Sequence, residues 1–124
     1  MSRPTVRQFD RQRHRRYARR VTSSTALAVL PTRVISQATG ANVRTVERWR
    51  AGSGPRRHVY RMRLDDLTAT LEVLGDSMTA RGRQAWLTAR SAHLGWRRPI
   101  DLLAAGEFEQ VRGAALAYAA GDVT

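Results

Sequence analysis

Residues 34–52 read VISQATGANVRTVERWRAG, and the glycine within this stretch constrains the fold more than any other feature of the chain. Ile35, Ala38 and Thr39 close a short helix, and Gly40 breaks it. Glycine supplies the positive φ that a sharp helix-to-helix turn requires. Asn42 can accept a hydrogen bond from an orphan amide of a second helix, predicted over Val43–Arg50. Val43, Val46 and Trp49 fall three apart and are expected to share its inner face. Arg44, Thr45, Glu47, Arg48 and Arg50 are left to point outward. A short helix with one packed stripe and an arginine-rich outer face suits insertion into a DNA major groove. The pattern is that of a helix-turn-helix.

The charge distribution agrees. All 22 basic residues are Arg, with no Lys. A GC-rich genome also produces that bias, so Arg at any one position is not evidence for bidentate chemistry. Residues 1–63 carry 16 Arg against Asp10 and Glu47, a net +14, whereas residues 64–124 carry 6 Arg against 8 acids, a net −2. One half is built to meet a polyanion and the other is not. A basic tail alone does not explain the asymmetry, because residues 33–63 hold 8 Arg against one acid.

At 124 residues the chain suits one domain with a modest core. Having no Cys, it can form no disulfide and no cysteine-ligated metal site. No apolar run has the form of a secretory signal or reaches the roughly 18 residues of a membrane span. A soluble cytoplasmic protein is expected, associated with the nucleoid when bound to DNA.

Residues 1–22 form a basic arm, either lying along phosphates or in a minor groove, or solvated and adding only nonspecific affinity. Residues 23–75 form the DNA-binding part. Its first helix spans about 23–30 and ends at Pro31. Gly52-Ser53-Gly54-Pro55 is a plain turn, since no Gly-Lys-Ser/Thr follows as in a phosphate loop. A long helix then runs to about Leu74, basic at its start and carrying the stripe Leu64, Leu67, Leu71, Leu74. Residues 76–124 form a second helical part. Asp76 or Ser77 can cap a helix of about Thr79–Thr88, with Trp86 and Leu87 inward. After a loop from Ala89 to Arg98, Pro99 opens a short helix to Ala105 that Gly106 closes. The last helix is predicted over 107–120, with Phe108, Val111, Ala115 and Tyr118 or Ala119 at helical spacing. No strand alternation or repeat is present, so the expected class is all-α.

Among candidate DNA contacts, Arg44 and Arg48 lie one turn apart and are placed to read bases. Thr45 can meet a thymine methyl or a phosphate, and Asn42 a base if it does not simply cap. Glu47 must accept from cytosine or orient Arg44 or Arg48, because an acid facing DNA is otherwise repelled. Arg33, Arg50, Arg56 and Arg57 extend the basic surface, while Trp49 is assigned to the core. Trp96, beside Arg97 and Arg98, is either an interface anchor or a loop residue folded over the core. Catalysis is not expected. His14, His58 and His93 lack ligand spacing, and Asp65-Asp66 face different ways on a helix. No cofactor or metal is expected.

The second half contains Trp86-Leu87, Leu94-Gly95, Arg98-Pro99-Ile100-Asp101-Leu102-Leu103, Gly106-Glu107, Val111 and Gly121. In order and spacing this resembles the toxin-binding part of the Xre/MbcA/ParS antitoxin family, the antitoxins of RES–Xre toxin–antitoxin modules. The resemblance covers about residues 31–124 and includes a helix-turn-helix where that family keeps its Xre-like DNA-binding part. It implies a dual role: repression of the module's own operon, and neutralisation of a RES-domain toxin, an enzyme that destroys NAD. The partners implied are double-stranded operator DNA and that toxin, with a homodimer or a larger hetero-oligomer with the toxin. It also implies toxin contacts at Arg98, Pro99, Asp101, Leu102 and Leu103, along the last helix, and from Tyr118 through Asp122 and Val123 to Thr124; Trp96, read above as a possible interface anchor, joins this candidate set. Two departures stand out. Thr88-Ala89-Arg90-Ser91 replaces a Pro-Asn pair, and Asp122 sits where an apolar end is usual, which could weaken a plug that relies on burial. The alternatives are a stand-alone helix-turn-helix repressor of phage or mobile-element origin and a nonspecific nucleic-acid coating protein.

Overall fold

A computed structural model describes residues 26–75 and 78–121. Residues 26–29 are helical, and Leu30 closes that turn by donating its amide to the Ala26 carbonyl. Six α-helices follow: α1 (Thr32–Thr39), α2 (Val43–Arg50), α3 (His58–Leu74), α4 (Ala80–Thr88), α5 (Pro99–Ala104) and α6 (Phe108–Ala119). A 3-10 turn, Ala92–Leu94, lies between α4 and α5. Among the described residues there is no strand, only an isolated bridge between Ser91 and Arg97. The all-α expectation holds.

Local chemistry sets the helix-turn-helix. Gly40 adopts φ 83° and donates its amide to Ser36 O. Two hydroxyls seal the turn: Ser36 Oγ donates to Ala41 O (2.6 Å), and Thr39 Oγ1 accepts from Ala41 N while donating to Ile35 O. Asn42 Oδ1 then accepts from Thr45 N at 2.8 Å, the predicted cap. At the far end of α2, Gly52 at φ 112° lets its own amide reach Trp49 O and the Ser53 amide reach Arg48 O. This pair of bonds satisfies carbonyls that a helix end otherwise leaves bare.

One core joins the two predicted parts. α1 packs on α2, α3 and α5, and α3 packs on α6. Val34, Ile35 and Ala38 of α1, Leu64, Leu67 and Leu71 of α3, Leu87 of α4, Ile100 and Leu103 of α5 and Val111 of α6 are all buried in it. The leucine stripe of α3 is buried along its whole length, Leu74 included. α5 and α6 run one residue shorter at the C-terminus than predicted, and α6 also starts one residue later. The cap of α4 is Thr79, whose Oγ1 accepts from Gly82 N; the expected caps, Asp76 and Ser77, lie outside the described residues.

One inner-face assignment is corrected. Val46 and Trp49 are buried, but Val43 is 45% exposed. Each i+3 step rotates backward by about 60°, so two steps separate Val43 from Trp49 by about 120° around the helix. The seam against α1 is too narrow to bury both edges. Val43→Ala is therefore expected to change stability by no more than about 0.5 kcal/mol, whereas Leu67→Ala, which opens a core cavity, should cost about 2–5 kcal/mol. Urea denaturation of the two variants checks this; equal losses would mean that α2 is packed on a different face.

Candidate nucleic-acid interface and partner surfaces

The outer face of α2 presents Arg44, Glu47 and Arg48 to solvent. Arg48 is oriented by its own helix: Nη2 donates to Thr45 Oγ1 at 3.2 Å. Thr45 rather than Glu47 thus holds it, and the hydroxyl bond fixes the direction of the guanidinium without neutralising it.

Beside this face lies a cleft of about 350 Å³ between α2 and the start of α3. Asn42, Thr45, Arg48 and Trp49 line it from α2 and its cap; Arg56, Arg57 and Tyr60 line it from the other side. The connector read as a plain turn in sequence closes it, through Ser53 and Gly54. Trp49 and Tyr60 meet as a tilted pair, 5.9 Å between centroids at 58°. Arg57 sits 5.9 Å over the Tyr60 ring, a distance at which the ring's negative face attracts the cation. The fold therefore gathers five predicted DNA contacts, Asn42, Thr45, Arg48, Arg56 and Arg57, around one concavity. Arg44 and Arg33 are exposed but do not line it.

Arg50 does something else. It was expected on the DNA-facing surface, and the structure turns it back onto the protein. Its Nε donates to Thr32 Oγ1 at 3.1 Å, Nη1 donates to Leu27 O and Nη2 to Leu30 O. Those carbonyls end the helical segment before Pro31, where the chain cannot continue the ladder. Arg50 is thus a cap in trans, tying the first helical turn to α2. No sequence rule links positions 27 and 50, so this role was invisible before the fold was known.

The expected toxin contacts divide into exposed and buried sets. Pro99, Leu102 and Leu103 are buried in the core, so they are corrected from contacts to supports. α5 has only six residues and lies against α1 and α6, which leaves its apolar side no surface to offer. Its exposed side carries Asp101, paired with Arg98 by two 2.9 Å bonds. The Asp101 hydrogen bond, then its charge, hold the Arg98 guanidinium above its ordinary pKa.

Trp96 is 63% exposed and adopts φ 64°, a conformation that bulky side chains rarely take. The surrounding backbone enforces it. Trp96 N donates to Ser91 O at 2.8 Å, Arg90 Nη1 donates to Trp96 O at 3.1 Å, and Ser91 N donates to Arg97 O at 3.0 Å. Arg97 in turn reaches Leu94 O and Gln110 Oε1, anchoring the loop to α6. Trp96 is therefore not folded over the core; its side chain faces solvent. Tyr118 forms a second patch. It packs edge-on against Trp86 (6.4 Å, 64°) and is 40% exposed. Eight residues along α6 from Gln110, it stands about 12 Å further down the helix axis. Asp122, Val123 and Thr124 lie outside the described residues.

Among the described residues no group of three or more His, Asp or Glu could hold a metal ion, and no helix is long and apolar enough to cross a membrane.

Removing the cap in trans should loosen the root of the helix-turn-helix without touching its outer face. Arg50→Ala is expected to lower stability by about 1 kcal/mol, with solvent exposure keeping the loss near the low end for charged hydrogen bonds. Amide exchange over residues 26–30 should accelerate more than that of α6. Uniform acceleration along the chain would show that Arg50 ties nothing locally.

No family model matches the chain. It is 40% identical over 79 residues to a Mycobacterium tuberculosis (strain H37Rv) protein named "probable mycobacterial cidal antitoxin"; the match spans 63% of this chain and 66% of that protein, just under two thirds of its length. The fold is similar to a chain in the crystal structure of the M. tuberculosis MbcT–MbcA toxin–antitoxin complex, with a TM-score of 0.70 and 26% identity over 83% of this chain and 95% of that one. In sequence and in fold, the chain is thus similar to mycobacterial antitoxins of the MbcA type.

Proposed function

We propose that this protein is an antitoxin that neutralises a partner toxin by binding it, and that it represses its own operon by binding DNA. It acts by association, with no chemistry of its own. What carries the antitoxin half is the common fold with a toxin–antitoxin complex over nearly the whole of the neighbouring chain. The Trp96 loop supplies a contact suited to it: a pinned aromatic already in place pays little ordering entropy on binding and is flanked by Arg97 and Arg98. The toxin is proposed to be of the RES-domain class, on the resemblance of the C-terminal motifs. DNA binding is supported by the outward Arg44 and Arg48 on a capped helix and by the cleft beside them. A two-fold dimer reading two half-sites is the usual arrangement for such a helix pair, and light scattering on the purified chain tests it.

Co-expression with the product of the adjacent gene is the direct test. The neighbour should be toxic alone, and this chain should restore growth and purify with it. Trp96→Ala should weaken that complex by at least tenfold, the scale of an interface hot spot, and leave DNA binding intact. Arg44→Ala should do the reverse, removing about 1–3 kcal/mol of base discrimination. A neighbour that is neither toxic nor bound would leave a stand-alone repressor.

A further inference from the structure

A recognition helix needs an exposed face, not a concavity, yet the cleft between α2 and α3 is as large as the smaller ligand sites of proteins, which begin at roughly 300 Å³. Its furnishing is one-sided. Arg48 reaches it from α2, and Arg56 and Arg57 from the start of α3. Ser53 adds a hydroxyl, and no carboxylate lines it among the described residues. Three arginines lining one cleft from two sides, with no carboxylate in its lining, call for an anion, and their planar forks match phosphate oxygens. The aromatic part of the wall is Tyr60, in a tilted pair with Trp49, beside the small polar side chains of Asn42 and Thr45. The ligand must therefore join a phosphate to a compact, weakly polar body.

A DNA strand has that composition, a phosphodiester attached to deoxyribose. We propose that the cleft seats one nucleotide of the DNA backbone, with its phosphate on Arg56, Arg57 and Ser53 and its sugar against Tyr60. This rests on the DNA-binding proposal above and adds a positioning function to it. Phosphate and sugar contacts fix register on the duplex, while base contacts specify sequence. Arg48, held to Thr45 and lining the cleft, then belongs with the backbone contacts. Arg44, which does not line it, remains the base reader. The two arginines one turn apart have different tasks.

Phosphate-ethylation interference on the DNA upstream of the operon tests this, using the full chain, Arg56→Gln, Arg57→Gln and Tyr60→Phe. The wild type should show, in each half-site, a phosphate whose ethylation blocks binding. Each arginine variant should lose sensitivity at that phosphate alone, and its salt slope should fall by about one. The base positions sensitive to Arg44→Ala should stay the same, and Tyr60→Phe, which keeps the ring, should retain the wild-type pattern. An unchanged interference pattern and slope in both arginine variants overturns the clamp while leaving DNA binding standing. A wild-type chain that binds no duplex, or prefers single-stranded RNA, overturns the DNA-binding proposal itself. Both arginines are exposed, so melting temperatures should match the wild type. If Arg57→Gln melts lower through loss of its ring contact, Arg56→Gln decides.

Discussion

The rest of the structure depends on the burial of α1. Eight residues long, it lies against α2, α3 and α5. Val34, Ile35 and Ala38 are each at most 1% exposed. One shared core removes a larger fraction of the surface from water than two half-sized cores would. The helix-turn-helix is therefore completed by helices from the other end of the sequence. α5 supplies Ile100 and Leu103 to the same cluster as α1. The consequence is mechanical: the surface proposed for DNA and the loop proposed for a partner are mounted on one packed body.

Arginine has two uses in this protein that the sequence does not separate. Some close helical carbonyl ends. Arg50 serves the segment before Pro31, Arg63 Nε donates to Ala104 O at the end of α5, and Arg83 Nη1 donates to Gly75 O after α3. Arg97 does the same for Leu94 O after the 3-10 turn. A cation at a helix C-terminus meets both bare carbonyls and the negative end of the macrodipole. Gly106 is required by its φ of 83°; a Cβ there would also sit 2.7 Å from the Arg63 guanidinium, which would have to shift aside. The arginines around the cleft at α2 are spent on none of these ends.

The three tryptophans show the same divergence. Trp49 is core and also braces the cleft through Tyr60. Trp86 is half-buried against Tyr118. Trp96 is held outward in a left-handed conformation by hydrogen bonds from its neighbours. Such strain persists only where the surroundings over-determine it, and sites of this kind are often functional.

The sequence by itself determined the elements that local chemistry governs. Gly40, the Asn42 cap, Pro31, the Pro99 helix start and the leucine stripe of α3 depend on backbone geometry and helical period, which act over a few residues. The charge asymmetry likewise marked the half proposed to meet a polyanion. Tertiary structure alone decided what each exposed or apolar side chain touches. It withdrew Arg50 to carbonyls twenty and more residues away, buried Pro99 and Leu102, released Val43 to solvent and turned a glycine-rich connector into the wall of a cleft. Periodicity tells which residues share a helix face. Which face finds a partner depends on helices that pack from distant parts of the chain.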